Sequence, residues 1–537
     1  MAKGCHDEMT RKEERKMKRK LSLLLAIMML AGVLAGCSQK AADDKGTTAK
    51  TEGSSAANKD VFTYSLGGDT GNTLNTFTAD DRWSLMTCNM VASPLYKIDQ
   101  DGTFLPVLAE SMEPSADGLT YTLKLKEGLK WSDGEPFTAD DVIFTYDAYN
   151  KQSPALYVEG KPIAMEKKDD LTVLFTLPSP SASVVEMLSA EVFMAPKHIF
   201  DGKNSYDINM LEGKVVGTGP YMLEEYKTGQ YLKFTANPNY AGDEAKIKTV
   251  VFKIIPNADT ASLAMQNKEV DALVALPSQL APFKDNKDFT VTNYSEGRVP
   301  YLRLNRISDA MQNKDFRTGL FKALDRKEIM TAAYTSDEFY KLGYSFLPVV
   351  NSYYSDDVEK YDKNLEEAKK LVANGPKSVK LCYVADDAAQ EKQALTIQAE
   401  LKQVGVTVEL AGVDQAAWMA AANDHENKDY DMYLGGYVMG IDPDTFAALV
   451  DSSSDNMLNF DNPEINKLFA AGKAELDPAK RAEIYKKAQQ MVSEEALFYP
   501  FGTNMRSLVT TARVSGVEDA GLVPIYTFRD FSKLELK

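Results

Sequence analysis

The clearest alternation of hydrophobic and polar positions runs over residues 119–126, where Leu or Tyr occupies every second position and Thr or Lys the positions between. A period of two predicts a half-buried β-strand. Turn-forming residues precede this stretch at 116–118 and follow it at 132–136. Thr138 and Asp141 then fit a helix capping box in front of an apolar run. The stretch therefore predicts a turn, a strand, a loop and a helix, without a nucleophile–base pair or a cluster of metal ligands.

Elsewhere the pattern switches repeatedly between strand and helix. An apolar run at 250–255 and a short strand at 270–273 flank a helical stretch at 259–267. Between residues 379 and 410, a strand, a helix and a second strand follow one another. Strands and helices that alternate over such lengths are typical of α/β domains. Two α/β lobes are therefore predicted.

A different pattern marks the N-terminus. Basic residues at 18–20 precede an apolar run at 21–34, and Ala35-Gly36-Cys37 follows. This is the composition of a secretory signal peptide, and the apolar run is too short for the ~20 residues of a transmembrane helix. The end of the run is similar to a bacterial lipobox. Residues 1–36 are therefore predicted to be a signal peptide, and Cys37 the lipidated first residue of the mature chain.

Composition narrows the classes of function. The chain has 537 residues, 44% of them hydrophobic, and a formal charge of −17. Nucleic-acid binding is not expected, because phosphate contacts need clustered Lys and Arg. The three His show no metal-ligand spacing, and Cys88 and Cys382 are expected to be isolated buried thiols. No catalytic serine or zinc-protease motif occurs. Neither a metal, a cofactor nor an enzymatic activity is predicted.

Several short motifs resemble one protein family. Leu-Ala-Glu-Ser at 108–111, Trp-Ser-Asp-Gly at 131–134 and Phe-Thr-Ala-Asp-Asp-Val at 137–142 are similar to the signature of family 5 bacterial solute-binding proteins. Gly-Thr-Gly-Pro-Tyr at 217–221 and Asn-Pro-Asn-Tyr at 237–240 resemble two further motifs of that family. Its members are the peptide- and nickel-binding receptors of ABC importers. The resemblance extends over almost the whole chain after the first 60 residues.

The resemblance implies a two-lobed α/β periplasmic-binding-protein fold of the large peptide-binding type. Residues 37–60, which lack aromatic side chains, are expected to be a flexible tether after the lipidated Cys. Residues 61–299 are expected to form lobe I, with an extra subdomain inserted at about 93–214. Residues 300–499 are expected to form lobe II, and residues 500–537 return to lobe I. Two crossings between lobes make a hinge about which they can close on a ligand.

The resemblance also implies a function. The protein is expected to be an extracytoplasmic substrate-binding lipoprotein that captures peptides between its lobes and delivers them to the membrane permease of an ABC transporter. A nickel complex, an opine or a sugar is the alternative ligand, because a fold does not determine what it binds. An extracellular hydrolase is a further, less supported alternative. The receptor is expected to be a monomer, held at the cell membrane by the lipid on Cys37.

The ligand is expected to lie between the lobes. Arg82 and Trp83 belong to a loop of lobe I that faces the cleft in the resembled family, although Trp83 could equally be an ordinary core residue. Gln415 follows a strand of lobe II and resembles part of a cleft loop. These three residues are predicted to contact the ligand.

A glycine-rich loop of lobe II supplies the remaining predicted contacts. In short-peptide binders of the family, this loop carries a Trp and an Asp that pairs with the α-ammonium group of the peptide. Here Tyr437 stands in place of the Trp, and Met439 or Gly440 in place of the Asp. Met439 favours an apolar or modified ligand. Asp442, with Asp444 as the alternative, is predicted to take over any cationic end of the ligand, since a buried ammonium group needs a counter-charge.

Overall fold

The computed structural model describes residues 60–71, 74–79, 81–99, 101–152, 156–189, 192–204, 207–211, 215–450 and 456–537. The predicted signal peptide, Cys37 and the tether up to residue 59 lie outside these residues. Within the described part of the chain, no helix is both long and apolar enough to cross a membrane.

Lobe I is built on an eight-stranded mixed sheet. Its first strand, Val61–Leu66, pairs in parallel with Thr249–Ile254. Alternate side chains of a strand point to opposite faces, so Phe62, Tyr64 and Leu66 share one face, and all three are buried in the core of the lobe. The linked strands, in spatial order, are Tyr221–Lys227, Tyr231–Ala236, Thr249–Ile254, Val61–Leu66, Ala272–Ala275, Gly502–Thr511 and Phe289–Ser295, and Tyr340–Leu342 also pairs with Gly502–Thr511.

Lobe I, including its predicted inserted subdomain, also contains helices and short hairpins. The helices are Arg82–Val91, Ala139–Gln152, Val184–Met187, Lys197–Phe200, Ala258–Gln266 and Val517–Ala520, with 3₁₀ turns at Pro277–Gln279 and Phe531–Lys533. The short antiparallel pairs are Tyr96–Ile98 with Phe104–Pro106, Tyr157–Val158 with Lys161–Pro162, Val514–Ser515 with Glu535–Leu536, and Leu522–Val523 with Thr527–Phe528.

A separate four-stranded antiparallel sheet lies in the segment predicted to be an inserted subdomain, which we call the insert. Its strands, in spatial order, are Ala109–Pro114, Thr120–Leu125, Thr172–Thr176 and Ala164–Asp169. The strand predicted at 119–126 is confirmed as Thr120–Leu125. The predicted helix cap is also present, because the Asp141 side chain accepts a hydrogen bond from Thr138 N at 2.9 Å, where the helix Ala139–Gln152 begins.

Lobe II contains a five-stranded sheet. Its strands, in spatial order, are Thr407–Val413, Ser378–Val384, Met432–Tyr437, Val299–Leu304 and Phe498–Pro500. Its helices are Lys314–Lys322, Arg326–Tyr334, Leu365–Val372, Ala388–Lys402, Gln415–Asn423, Pro463–Ala474 and Pro478–Glu494, with 3₁₀ turns at Asp309–Met311, Asp337–Phe339 and Pro443–Leu449. The strand–helix–strand order predicted between 379 and 410 is confirmed.

Two short connections join the strands of the two sheets, and Tyr340–Leu342, within the lobe II segment, also pairs with the lobe I strand Gly502–Thr511. The chain leaves the lobe I sheet after Phe289–Ser295 and enters the lobe II sheet at Val299–Leu304. It returns between Phe498–Pro500 and Gly502–Thr511. Both connections are only a few residues long, and the lobe boundaries at 299/300 and 499/500 stay a prediction. The arrangement leaves the lobes joined by two neighbouring connections, which is the geometry of a hinge.

Each lobe has its own hydrophobic core, and each core region contains one cysteine. Cys88 lies in the main core of lobe I. Cys382 lies with Tyr433 in a small cluster of lobe II. Both are buried free thiols, and burial raises their pKa values. The prediction of two isolated buried thiols is confirmed.

Candidate functional site

A cavity of about 770 Å³ lies between the lobes. Its size is within the ~300–1,000 Å³ range of small-molecule sites. Lobe I lines it with residues of the helix Arg82–Val91, of the insert and of the C-terminal hairpin Leu522–Phe528. Lobe II lines it with two loops, at 348–351 and 438–445, and with Lys473 of the helix Pro463–Ala474. Elements far apart in the sequence thus enclose one space.

Aromatic side chains from distant segments form the lobe I wall. Phe77 packs edge-on against Tyr149, with ring centroids 4.9 Å apart. Phe193 packs against Tyr526 at 6.2 Å. All four line the cavity, together with Tyr96 of the first hairpin. Such edge-to-face pairs hold rings in defined positions, so the wall is pre-formed.

The lobe II wall is a loop fixed by hydrogen bonds. The strand Met432–Tyr437 delivers the chain to the cleft, and Val438, Met439 and Gly440 follow as lining residues. The amide of Asn351 donates to Ile441 O at 2.7 Å. These contacts hold the loop in one path although its sequence is rich in glycine.

The end of the same loop is held by Asp442, which caps the 3₁₀ turn Pro443–Leu449. Its side chain accepts a hydrogen bond from Asp444 N at 2.9 Å. The hydroxyl of Thr445 donates to Asp442 O at 2.7 Å. The turn therefore begins at a fixed point at the edge of the cavity.

The two lobes touch at the edge of the cavity. The Glu186 carboxylate, on the short helix Val184–Met187 of lobe I, accepts hydrogen bonds from Ile441 N at 2.5 Å and from Asp442 N. Nearby, Ala182 N donates to Lys473 O at 2.8 Å. Burial, followed by the negative charge of Asp442, raises the pKa of Glu186 to about 7. Backbone and side-chain groups of one lobe therefore bind directly to the other.

Charged side chains of the cavity wall form pairs. A carboxylate oxygen of Asp99 and a terminal guanidinium nitrogen of Arg529 lie 2.6 Å apart. Asp444 and Lys473 lie 3.7 Å apart, and burial raises the pKa of Asp444 to about 6 although Lys473 opposes the shift. Burial likewise lowers the pKa of Lys97. Its ammonium group lies 3.8 Å from a carboxylate oxygen of Asp530, which is behind the wall.

Arg82 and Trp83, the predicted ligand contacts of lobe I, lie behind the residues that line the cavity. Arg82 forms an ion pair with Glu296 at 3.1 Å and donates hydrogen bonds to the carbonyl groups of Pro524 and Ile525. It therefore supports two lining residues from behind. Trp83 is partly buried and packs against the core of lobe I. This packing agrees with the alternative prediction, that Trp83 is an ordinary core residue. Neither Arg82 nor Trp83 lines the cavity.

Among the predicted lobe II contacts, Met439 lines the cavity. Tyr437 instead packs within lobe II, where its ring stacks on Phe498 at 6.1 Å and its hydroxyl donates to Phe346 O. Gln415 is exposed at the start of its helix, away from the lining residues. That any of these residues, Met439 included, contacts a ligand stays a prediction.

Asp442 has a partner that the sequence did not indicate. Its two carboxylate oxygens accept hydrogen bonds from both terminal nitrogens of Arg481, each at 2.7 Å. Both side chains are nearly inaccessible to solvent. The carboxylate expected to face a ligand therefore points behind the wall, and Asp444, the stated alternative, lines the cavity in its place.

Other lining residues escaped the sequence reasoning. Glu186 lies in a stretch without a charge pattern or a recognised motif. Arg529 and Tyr526 belong to the C-terminal segment, which returns to lobe I after the last crossing. The return of the chain was a signal that this segment could approach the cleft, but nothing local singled out these side chains.

Comparison with known proteins places this architecture in a family. The sequence model of the bacterial extracellular solute-binding proteins, family 5 Middle, matches residues 103–457. The crystal structure of the ABC transporter substrate binding protein CtaP from Listeria monocytogenes is 36% identical, covers 89% of this chain and 99% of its own, and superposes with a TM-score of 0.83.

Two further relatives agree with this assignment. The structure of AppA from Clostridium difficile is 31% identical over 89% of this chain and all of its own, with a TM-score of 0.81. The oligopeptide-binding protein AppA from Bacillus subtilis is 28% identical over 87% of this chain and 91% of its own. The two-lobed α/β fold and the family implied by the sequence motifs are confirmed. The chain belongs to the family 5 bacterial extracellular solute-binding proteins.

Proposed function

We propose that this protein is the substrate-binding component of an ABC transporter, that it captures peptides between its lobes, and that it passes them to the membrane permease. Family membership supports the receptor role, and the names of the relatives support the peptide ligand. A monomer is sufficient for this role, because both walls of the cavity come from one chain.

The observation that carries the proposal is the cavity itself. It lies between two lobes that are joined by two short connections, and each lobe supplies one wall. Hinge motion about these connections opens the cavity, and closure buries what is inside. Met439, at the centre of the lobe II wall, is the proposed ligand contact among the residues singled out from the sequence.

The side chains around the cavity favour binding over catalysis. The described histidines are His198, bonded to Asp133 at 3.0 Å, and His425, bonded to Asn459. Neither lies among the lining residues. Among the described lining residues there is thus no histidine base for a serine or threonine nucleophile, which supports the receptor role.

The mass of the bound ligand tests the peptide proposal. The protein lacking residues 1–36 is to be purified without denaturation, then unfolded to release what the cavity holds, and the released fraction analysed by mass spectrometry. Peptides are expected in amounts close to that of the protein. Recovery of an opine, a sugar or a metal chelate instead, from repeated preparations, would overturn the peptide ligand and leave the receptor role intact.

Membrane anchoring is proposed to depend on Cys37. Because the residues before it have the pattern of a lipobox, Cys37→Ala should abolish labelling with a radioactive fatty acid and release the protein from the membrane fraction. Cys88→Ala, at a buried thiol, is the control and should be labelled like the wild type. Unchanged labelling of Cys37→Ala would contradict the anchor.

A further inference from the structure

Glu186 is an acid of the cavity wall without a basic partner. It lines the cavity and is nearly inaccessible to solvent. Its carboxylate accepts hydrogen bonds from Ile441 N and Asp442 N. Within the described part of the chain, however, it forms no ion pair, because the neighbouring bases bind other acids. A buried carboxylate that is ionised needs a counter-charge as well as hydrogen bonds, so Glu186 requires either a proton or a cation.

The other charges at this contact between the lobes cancel. Arg481 binds both oxygens of Asp442, and both side chains are buried. The ammonium nitrogen of Lys473 lies 3.7 Å from a carboxylate oxygen of Asp444. These four side chains are two acids and two bases. Glu186 therefore adds one negative charge that none of them balances.

The electrostatic environment of Glu186 agrees with this count. Burial, followed by the charge of Asp442, raises the pKa of Glu186 to about 7, and the opposing effect of Arg481 is smaller. The surroundings of the carboxylate are therefore short of positive charge. A cation placed beside it would stabilise the ionised form and take the place of the proton.

The carboxylate can accept further hydrogen bonds. An ionised carboxylate has about four acceptor positions, and the two backbone N–H groups occupy one on each oxygen. The loop of lobe II has a glycine beside it, and a Cβ atom on Gly440 would overlap Oε1 of Glu186. Met439 and Gly440 line the same cavity. The carboxylate thus lies against the part of the wall that these residues form.

We propose that Glu186 of lobe I is the counter-charge for an ammonium group of the ligand, and that the cavity therefore selects peptides with a free amino group over the same peptides with a blocked one. The inference rests on the proposed function and specifies its substrate class. Asp442, the acid predicted from the sequence for this role, is neutralised by Arg481. The counter-charge therefore comes from the opposite lobe, at the point where the two lobes touch.

Two matched peptide pools test the preference by calorimetry. Both contain the same apolar sequences of two to five residues, without basic side chains and with a free carboxyl end. One pool has free amino ends, and the other is N-acetylated. At pH 7, where most α-amino groups are charged, the free pool should bind about tenfold more tightly or better. Equal or tighter binding of the acetylated pool would overturn the inference, and so would binding by neither pool.

Proton uptake by the wild-type protein tests the cause without a variant. With an acetylated ligand, Glu186 should be largely protonated at pH 6, because its pKa in the closed form is about 7. An ammonium group beside the carboxylate lowers this pKa and keeps the carboxylate ionised. Asp444, whose pKa is also raised, is common to both complexes.

The measurement is calorimetry at pH 6 in two buffers that differ in ionisation enthalpy. The best-binding sequence of the free pool is compared with its acetylated form, each at saturating concentration. The acetylated form should take up nearly one proton more than the free form. Equal proton numbers for the two complexes would overturn the inference.

A variant at position 186 tests the residue itself. Glu186→Gln nearly keeps the size of the side chain and removes its charge, so the free and acetylated pools should bind about equally. Glu166→Gln, at an exposed acid of the insert, is the control and should keep the wild-type preference. A Glu186→Gln protein that also keeps this preference would contradict the proposal. If Glu186→Gln fails to fold, the proton numbers of the wild type still decide.

The mass of the co-purified ligand judges the proposed function separately. A peptide with a blocked amino end recovered there would overturn the inference while supporting the peptide receptor.

Discussion

At the scale of single residues, the Asp442–Arg481 pair is what fixes the lobe II wall. Arg481 also donates from Nε to Gly472 O at 2.8 Å, so its guanidinium group joins the loop to the helix Pro463–Ala474. Asp442 in turn caps the 3₁₀ turn that follows it. A planar guanidinium group that binds a carboxylate with two parallel bonds gives a defined geometry. The pair is therefore a structural element of the binding wall.

Asp442→Asn should destabilise the protein. It leaves Arg481 buried without its counter-charge, and breaking one side of a buried pair typically costs ~3–5 kcal/mol. Chemical denaturation should show a free energy of unfolding lowered by about this amount. Glu464→Gln, at an exposed pair, should leave it nearly unchanged. A fully stable Asp442→Asn protein that has lost affinity for unblocked peptides would return Asp442 to the role of ligand partner.

At the scale of elements, the turn at 217–221 sets the position of the helix Arg82–Val91. Gly219 N donates to Val91 O at 2.9 Å, and the hydroxyl of Ser93 donates to Thr218 O at 3.0 Å. A Cβ atom on Gly219 would overlap the backbone of Val91 and Ala92. The glycine lets two backbones approach closely, and the helix whose end it contacts carries part of the cavity wall.

Gly219→Ala should therefore move or destabilise this helix. Forcing an extra carbon into a packed contact costs typically ~1–3 kcal/mol, which thermal unfolding will detect as a lower midpoint. Gly128→Ala is the matched control. Its added Cβ meets no atom within 4 Å, and only the left-handed backbone, with φ +72°, is strained. If Gly219→Ala unfolds at the temperature of the wild type, the close approach at 219 does not matter for stability.

At the scale of the whole molecule, Glu186 is one of the groups through which the lobes bind each other. It belongs to lobe I and binds two backbone N–H groups of lobe II. Asp442 and Arg481 face it from lobe II, and Asp444 and Lys473 lie beside them. In the closed form, burial and Asp442 raise the pKa of Glu186 to about 7, against the opposing effects of the two hydrogen bonds and Arg481. In an open form the carboxylate would face water.

Closure should therefore depend on pH. Because the pKa of Glu186 is higher in the closed form than its ordinary value of 4.5, closing takes up protons. The stabilisation of the closed form is complete below about pH 4.5 and is lost as the pH rises through about 7. Ligand-free protein should be more closed at pH 6 than at pH 8. Glu186→Gln, which carries no charge at either pH, should respond less than the wild type and keep only the part due to Asp444, whose pKa burial raises to about 6.

Pulsed electron resonance between spin labels on the two lobes measures this closure. Lys168→Cys on the insert and Lys467→Cys on lobe II place labels at exposed positions, in a chain without residues 1–37 whose remaining cysteines are buried. Glu166→Gln, at an exposed acid of the insert, is the control and should keep the wild-type response. Identical distance distributions for the wild type at both pH values would contradict a closing role for Glu186.

The sequence by itself determined the features that depend on neighbouring residues. The strand Thr120–Leu125 and the helix start at Thr138 follow from periodicity and turn chemistry, which act over a few positions. The order of strands and helices then indicated two lobes, and the short motifs at 108–142 and 217–221 indicated the family. The N-terminal pattern predicts the anchor at Cys37 in the same local way.

Only the tertiary structure decided which side chains face the ligand cavity. Asp442 is an acidic residue in a cleft loop. The residues around it in the sequence do not indicate that Arg481, 39 positions later, neutralises its charge. Glu186 meets the same loop from 256 positions away. Whether a carboxylate is free for a ligand depends on its charged neighbours and on its burial, and both are set by the packing of segments that the sequence leaves far apart.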